Sequence, residues 1–185
     1  MPVVEIHLLE GYESEAKTRL CEAVTDAVRS VVPAAPDAVT IFLHDYPAEN
    51  YMRGRTRCSG AAALPDPAGI VRDYLTAMEA RDLATAESHL GAGFVMHFPG
   101  APPMHRLTEL IEWAKPRYRF VRKTIDAVEP CPSPGPTLVF VHGTLAGEWP
   151  DGTPFEGIRF IDRFELEGGK ILRQDVWNDI AEVRP

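Results

Sequence analysis

The chain has few cysteines, no long apolar run and no leader-like opening. Three cysteines among 185 residues cannot form the network of bridges that stabilises small secreted domains. No basic stretch followed by an apolar one opens the chain, and no apolar run approaches the roughly 18 residues that would span a bilayer. We therefore expect a soluble, cytoplasmic protein that does not use a membrane as its partner.

Positive charge is also scarce, since 19 basic residues stand against 27 acidic ones and the net charge is −8. Binding to a phosphate backbone depends on clustered positive charge, so this balance disfavours nucleic acid as a partner. The six histidines lack the spacing of helical zinc motifs, and neither a Gly-x-Ser-x-Gly run nor a glycine-rich phosphate loop occurs. We expect a small-molecule substrate, no metal and no cofactor.

The first segment of the chain predicts a β-α-β unit. Residues 3–9 are β-favouring and almost wholly apolar, as in a strand covered on both faces. Over residues 13–32 apolar side chains recur every three or four positions, as in a helix, and residues 39–44 form a second β run. Strand, helix and strand imply parallel strands joined by a right-handed crossover. Because so small a unit leaves a sheet edge and a helix face uncovered, we expect a homo-oligomer.

A short aperiodic segment, CSGAAALPDP at residues 58–67, predicts a linker between domains at 1–57 and 68–185. The second domain is expected to contain helices at 70–78, 83–90 and 108–118 and strands at 94–98, 119–129, 137–148, 155–167 and 170–178. The pairs Asp151-Gly152 and Gly168-Gly169 are strong hairpin signals. Helices first and an antiparallel meander afterwards predict an α+β fold, in which a curved sheet wraps around the helices.

The proline at position 2 has two interpretations. Proline is tolerated as the first residue of a strand, so its place before the first β run needs no chemical explanation. Alternatively, removal of Met1 leaves Pro2 with a free secondary amine. An α-amino group titrates at about 7.7–8.0, and burial beside other cations lowers that pKa, which leaves a neutral base at neutral pH. A base of this kind suits proton abstraction next to a carbonyl group.

Several motifs of the first domain occur together in one known family. Pro2, the run EIHLLEG at 5–11, Lys17 and the run DYPAENYMRG at 45–54 resemble the 4-oxalocrotonate tautomerase family over residues 2–57. The resemblance implies that Pro2 shuttles a proton in keto–enol tautomerisation of a 2-hydroxydienoate or an arylpyruvate-type acid. It also implies that the β-α-β units assemble as dimers or trimers of dimers.

The chain departs from that family at its substrate clamps. Tautomerases of this family usually hold acidic substrates with two arginines, and the matching positions here are Tyr12 and Thr40. A dicarboxylate would therefore lose two charge-assisted contacts, each worth about 1.5–3 kcal/mol. Tyr51 matches an aromatic position that lines the family's pocket. Arg53 either supplies positive charge from its loop or a neighbouring subunit, or belongs to a solvated rim. The candidate substrate-binding residues of this domain are Tyr12, Thr40, Tyr51 and Arg53.

The second domain resembles a different family. The runs IVRDYLTAMEARDLATAESHLGAGFVMHFPG (70–100) and IDRFELEGGKILRQDVWND (161–179) look like the nuclear-transport-factor cone fold in its SnoaL-like polyketide-cyclase branch. The resemblance covers roughly residues 67–183 and implies a pocket between the curved sheet and the helices. Cyclases and isomerases of this fold place an Asp or His inside that pocket as an acid or base. Many relatives perform no chemistry, so ligand binding alone is an open alternative.

Alternation along the strands selects candidates for the wall of that pocket. Asp162 lies between Phe160 and Phe164, where a charge without a partner is costly. In the last strand one face is expected to carry Ile171, Arg173, Asp175 and Trp177. The candidates for catalysis in this domain are His97 and Asp175, and those for substrate binding are His142, Asp162 and Trp177. The alternative is that these are polar wall or surface residues.

Three hypotheses follow. In the first, the chain is an enzyme that fuses a tautomerase to a cyclase-like or isomerase-like pocket. In the second, the cone domain binds a hydrophobic ligand, and the first domain with a relict Pro2 serves to oligomerise the chain. In the third, chemistry of a cyclase or hydrolase type occurs only in the cone.

Overall fold

The computed structural model describes residues 1–183, and the chain divides into two compact units, Met1–Ala63 and the part that begins at Leu64. The helix-free residues that open the second unit end at Asp66, whose side chain accepts hydrogen bonds from the backbone N–H groups of Ala68 and Gly69. This is an N-cap, and Pro67 follows it at the first helical position. In residues 1–183 no helix combines the length and the apolar character needed to cross a bilayer.

The first unit is a β-α-β unit followed by a small hairpin. Its elements are β1 (Val3–Leu9), α1 (Ser14–Arg29), β2 (Thr40–Tyr46), β3 (Met52–Arg53) and β4 (Thr56–Arg57). Strands β1 and β2 are parallel and pair from Val3 with Thr40 to Leu9 with Tyr46. The helix ends before the predicted position 32, because Pro33 disfavours helical backbone at the residue that precedes it.

The first unit has no core of its own in this chain. None of residues 1–63 is buried. On one face of the two-stranded sheet Val4 and Ile6 are half-buried, whereas the other face is open to solvent. On that open face Val3 is 56% exposed and Phe42 is 51% exposed. A unit of this size with large apolar side chains in water lacks the burial that stabilises an independent domain.

The second unit combines helices with one five-stranded sheet. Its elements are α2 (Pro67–Ala80), α3 (Leu83–Ser88), β5 (Leu90–His97), α4 (Leu107–Ala114), β6 (Phe120–Cys131), β7 (Thr137–Glu148), β8 (Pro154–Glu167) and β9 (Lys170–Asn178). The strand order is β5-β9-β8-β7-β6. Strands β6 to β9 form the predicted antiparallel meander, and β5 adds to its edge in parallel with β9. The molecule therefore has the α+β architecture that the sequence predicts.

Strand β5 starts earlier than its sequence suggests. The helix predicted at 83–90 ends at Ser88, and the strand predicted at 94–98 begins at Leu90, so that Gly91 and Gly93 lie within the strand. The pairing with β9 shifts between Leu90 and Val95, so the strand carries an irregularity there. A Cβ added at Gly91 would lie 2.6 Å from a side-chain carbon of Leu172, so close approach to β9 explains a glycine at this position.

Irregularities in the ladder curve the sheet around the helices. The β6–β7 register shifts between Ile125 and Ala127, opposite Gly143. A Cβ at Gly143 would lie 2.0 Å from the carbonyl oxygen of Thr124, so only glycine fits at this bulge. Bulges bend a strand and increase its twist. The inner face of the curved sheet packs against α2, where Val71 and Tyr74 belong to the buried core.

Candidate functional site

Pro2 lies at the N-terminal end of the parallel pair β1 and β2. Its carbonyl oxygen accepts a hydrogen bond of 3.0 Å from the backbone N–H of Thr40, which fixes the proline at the edge of the sheet. Pro2 is half-buried, and Met1 before it is 91% exposed. Of the candidate residues in the first unit, the structure brings Pro2 and Thr40 together.

Tyr12 does not belong to the same end of the unit. It follows β1 at the far end, and a strand of seven residues spans about 20 Å. Pro2 and Tyr12 of one chain therefore lie at opposite ends of the strand. Tyr51 is 39% exposed, and Arg53 is exposed in the β3–β4 hairpin. A pocket containing both Pro2 and Tyr12 requires residues from more than one copy of the chain.

The second unit contains a cavity of about 370 Å³ between the sheet and helix α4. Its walls are mainly apolar and aromatic, with Trp113, Trp149 and Phe160 among them. Pockets that bind small molecules are commonly of this size and are lined in this way, with a few polar groups placed among apolar side chains. The polar groups here include Lys123 and Arg117.

A chain of polar side chains lies at the inner face of the sheet beside this cavity. Lys123 on β6 donates to Asp162 Oδ2 on β8, and Gln174 Nε2 on β9 donates to the same oxygen at 3.2 Å. The Tyr74 hydroxyl donates to Gln174 Oε1 at 3.0 Å. Asp162 is 0% exposed, and its Oδ1 has no hydrogen-bond partner. Burial raises the pKa of Tyr74, and the charge of Asp162 adds to this, so the hydroxyl stays protonated as a donor.

A second polar cluster lies on the opposite, outer face of the same sheet. His97 Nδ1 forms a hydrogen bond of 2.9 Å with Asp175 Oδ1. Arg163 and Arg173 donate to the same carboxylate at 3.0 and 2.9 Å. Arg163 also contacts Glu165 at 2.7 Å. These side chains leave Asp175 only 6% exposed, although it does not face the core.

The structure therefore does not join His97, His142, Asp162 and Asp175 into one cluster. His97 pairs with Asp175, and His142 pairs with Ile161, both on the outer face. Asp162 pairs with Val141 and faces inward, as the alternation of β8 predicts. Only Asp162 of this set adjoins the cavity wall, and the catalytic roles suggested for His97 and Asp175 remain predictions.

In the last strand, the prediction that Ile171 shares a face with Arg173, Asp175 and Trp177 is wrong. The β8–β9 register shifts so that Leu166 pairs with Ile171 and Glu165 with Arg173, which leaves Leu172 unpaired in the ladder. This bulge turns Ile171 to the inner face, while Asp175 and Trp177 point outward. Trp177 is 53% exposed and does not line the cavity. A shift of one residue exchanges the faces of a strand, and the sequence carries no clear signal for it.

The outer cluster predicts a pH-dependent contribution to stability. Burial by itself would raise the pKa of Asp175, but the hydrogen bond and charge of Arg173, with hydrogen bonds from His97 and Arg163, lower it. A carboxyl whose pKa is lowered by folding stabilises the fold above its ordinary pKa, and that stability is lost as pH falls through its folded pKa. We expect Asp175→Asn to reduce the free energy of unfolding at pH 7 by about 1–2 kcal/mol. The deficit should shrink below about pH 4.

Urea unfolding at pH 7 and pH 3, followed by tryptophan fluorescence, measures this difference. Asp179→Asn serves as the control, because Asp179 pairs with Arg159 at the surface and should change stability by only about 0.5 kcal/mol. An equal deficit for Asp175→Asn at both pH values would show that its charge does not stabilise the fold.

Sequence reasoning missed the partners of Asp162. Lys123 lies between Val121 and Ile125 on the same face of β6, and a lysine on an otherwise apolar strand face was the available signal. Nothing in the local sequence identified Tyr74 as a partner, since the 3.6-residue periodicity of α2 assigns it only to the core. Among residues 1–183, no group of three or more His, Cys, Asp or Glu side chains is placed to hold a metal ion.

The first unit matches known tautomerases in sequence. Residues 2–59 match the family described as tautomerase enzyme. A 2-hydroxymuconate tautomerase of Comamonas testosteroni is 39% identical over 51 residues, which are 28% of this chain and 81% of that protein. A 2-hydroxymuconate tautomerase of Bacillus subtilis is 32% identical over 59 residues, which are 32% of this chain and 95% of that protein.

The second unit matches a different family in sequence and in fold. Residues 71–174 match the SnoaL-like domain family. An NTF2-like protein from Burkholderia thailandensis superimposes with a TM-score of 0.53 at 20% identity, over 66% of this chain and all of that chain (100%). This likeness shows the cone fold, in agreement with the curved sheet and its helices. The chain thus belongs to the tautomerase family through residues 2–59 and to the SnoaL-like family through residues 71–174.

Proposed function

We propose that the first unit is a cofactor-independent keto–enol tautomerase, in which the ring nitrogen of Pro2 is the general base once Met1 has been removed. The observation that carries this proposal is the position of Pro2. It is the first residue of the match to tautomerases and is held at the head of β1 by its bond to Thr40. The exposure of Met1 leaves the bond to Pro2 open to an aminopeptidase. A secondary amine at this point has a fixed ring, so the backbone sets the direction of its lone pair.

The proposed substrate is a carbonyl or 2-hydroxy-enoic acid with a single carboxylate. The positions at which related enzymes use arginines to hold acids carry uncharged side chains here, Tyr12 and Thr40. Without those cations, a second carboxylate on the substrate has no charge-assisted partner and would cost desolvation energy. Tyr51 and Arg53 remain the proposed contacts for the acid. Arg53 would reach the pocket either from the loop of the same chain or from a neighbouring copy.

The proposal includes assembly of the chain into a homo-oligomer, a dimer or a trimer of dimers. Two features support it: no residue of 1–63 is buried, and Pro2 and Tyr12 lie at opposite ends of β1. Neighbouring copies would cover the open sheet face and bring both residues to one pocket. The three cysteines are free, which suits the reducing cytoplasm as the location.

Substituting the open sheet face is expected to reduce the size of the assembly. Phe42 is 51% exposed in one chain, and burying such a side chain against a partner stabilises the assembly by about 1.5–3 kcal/mol. Phe42→Glu would instead bury a charge, so we expect a smaller particle by size-exclusion chromatography with light scattering. Val31→Glu is the matched control, since Val31 is 83% exposed beyond helix α1 and away from this face. An unchanged mass for Phe42→Glu would contradict the assignment of the interface.

The test of the proposed activity is ketonisation of an enol acid by the whole chain. Phenylenolpyruvate, which has one carboxylate, should be turned over with a higher kcat/KM than 2-hydroxymuconate, which has two. Failure to ketonise either compound would overturn the tautomerase proposal.

A second candidate function is ligand binding in the cone, supported by the 370 Å³ cavity with its aromatic walls. Whether chemistry accompanies binding depends on the groups that reach the cavity. Asp162 is the carboxylate beside it, and Lys123 and Gln174 already occupy one of its oxygens. A carboxylate held in this way is better suited to anchor Lys123 than to act as a base.

A further inference from the structure

The wall of the cone cavity carries positive charge only. Lys123 and Arg117 line it, and none of the described lining residues is an Asp or Glu. This is unusual in a chain with 27 acidic and 19 basic residues. We propose that the cavity binds an organic anion with an apolar body, and that Lys123 and Arg117 are the two cations that hold its acidic group. This deepens the second candidate function and does not depend on the tautomerase activity.

Two residues of β8 hold Lys123 in position. Its ammonium group donates to the fully buried Asp162 and lies 4.1 Å from the centroid of the Phe160 ring. Its side chain is still 23% exposed, and it lines the cavity. An ammonium group has three N–H donors, so one bond to Asp162 leaves donors for a ligand. Asp162 therefore orients the lysine, while its own charge is balanced by that lysine.

Arg117 supplies the charge that is not balanced. Its guanidinium lies over the Trp113 ring, 4.0 Å from the centroid, and no carboxylate of the described residues pairs with it. The residue is half-buried at the cavity wall. With one lysine, one arginine and one buried aspartate, the cavity has a net charge of +1. A monoanion neutralises that charge, whereas a cation would be repelled and a neutral ligand would leave Arg117 without a partner.

The shape of the cavity favours a flat apolar body. Trp113, Trp149 and Phe160 provide aromatic faces, and Leu145 and Val176 are among the aliphatic residues of the wall. A volume of about 370 Å³ holds two fused rings with space for a carboxylate. Aromatic carboxylates and the enolates of aromatic ketones have this combination of a planar ring system and one negative charge.

Isothermal titration calorimetry of the full chain with 2-naphthoate and with its neutral amide, 2-naphthamide, tests the proposal. The two probes share a ring system and differ in charge. A charge-assisted contact to either cation should make naphthoate bind about tenfold tighter or more than the amide. Equal affinities, or no detectable binding of naphthoate at millimolar concentration, would overturn the proposal.

Variants then assign the preference to its residues. Arg117→Gln should remove most of the preference for naphthoate without disturbing the buried pair, and Lys123→Gln should reduce it while keeping a donor for Asp162. Arg122→Gln is the matched control, because Arg122 is an exposed arginine next to an aromatic ring, Phe120, on the other face of β6. A preference that survives in Arg117→Gln and Lys123→Gln together, or that falls equally in Arg122→Gln, would contradict the assignment. These titrations require no turnover, so their result stands apart from the ketonisation assay.

Discussion

A chain in which Pro2 remains joined to a preceding residue is expected to lose its tautomerase activity. The nitrogen of an internal proline is an amide and has no basic lone pair, whereas the trimmed chain has a secondary amine. General bases contribute about 10²- to 10⁴-fold to rate, so an uncleaved N-terminal tag should lower kcat/KM for phenylenolpyruvate by at least about 100-fold. Pro2→Ala keeps a primary amine but not the fixed ring, and an intermediate loss of about tenfold or more is expected.

The same tag placed at the C-terminus is the control for the effect of the tag itself, and mass spectrometry checks that Met1 has been removed from the active sample. Full activity in the N-terminally tagged chain would show that no free amine is needed. The proposal for Pro2 would then fail, whatever the cone domain binds.

The largest expected effect on stability comes from the buried pair of Lys123 and Asp162. Lys123→Met leaves a fully buried carboxylate with only Gln174 as its donor, and breaking such a pair costs about 3–5 kcal/mol. Asp162→Asn added to Lys123→Met removes the uncompensated charge and keeps an acceptor for Gln174. We expect the double variant to regain at least about 2 kcal/mol of the free energy of unfolding.

Urea unfolding followed by tryptophan fluorescence reads this result from the cone alone, because the three tryptophans, at 113, 149 and 177, all belong to the second unit. Lys115→Met is the control, since Lys115 pairs with Glu112 at the surface and its loss should cost no more than about 0.5 kcal/mol. If the double variant is no more stable than Lys123→Met, the cost comes from lost packing of the lysine stem and not from the buried charge.

The buried pair of Lys123 and Asp162 and the proposed anion site share one residue, Lys123. Lys123 meets Asp162 on one side and the cavity on the other, so Asp162 positions the cation that the proposed ligand would contact. Tyr74 and Gln174 extend the same chain of hydrogen bonds to helix α2. The helix is thereby coupled to the polar end of the cavity through buried hydrogen bonds.

Local sequence was sufficient for most of the secondary structure. The strand at 3–9 and those at 137–148 and 170–178 have the bounds that their patterns predict, because alternation and hairpin turns act over a few residues. The chemical interest of Pro2 is equally local. It depends on the identity of the second residue and on the strand that follows, and both can be read from the sequence.

Tertiary structure decided which charged groups meet and on which side of the sheet they lie. Lys123 and Asp162 are 39 residues apart, and the pairing of β6 with β7 and β7 with β8 brings them together. The bulge at Leu172 places Ile171 on the inner face of the sheet, although the other odd-numbered residues of β9 lie on the outer face. Side chains alternate between the two faces of a strand only as far as the next bulge. The position of a bulge depends on how neighbouring strands pack, which the local sequence does not show. For that reason the sequence predicted the pocket's fold and its buried aspartate, whereas the two cations of the pocket, Lys123 on β6 and Arg117 after α4, could be identified only in the folded chain.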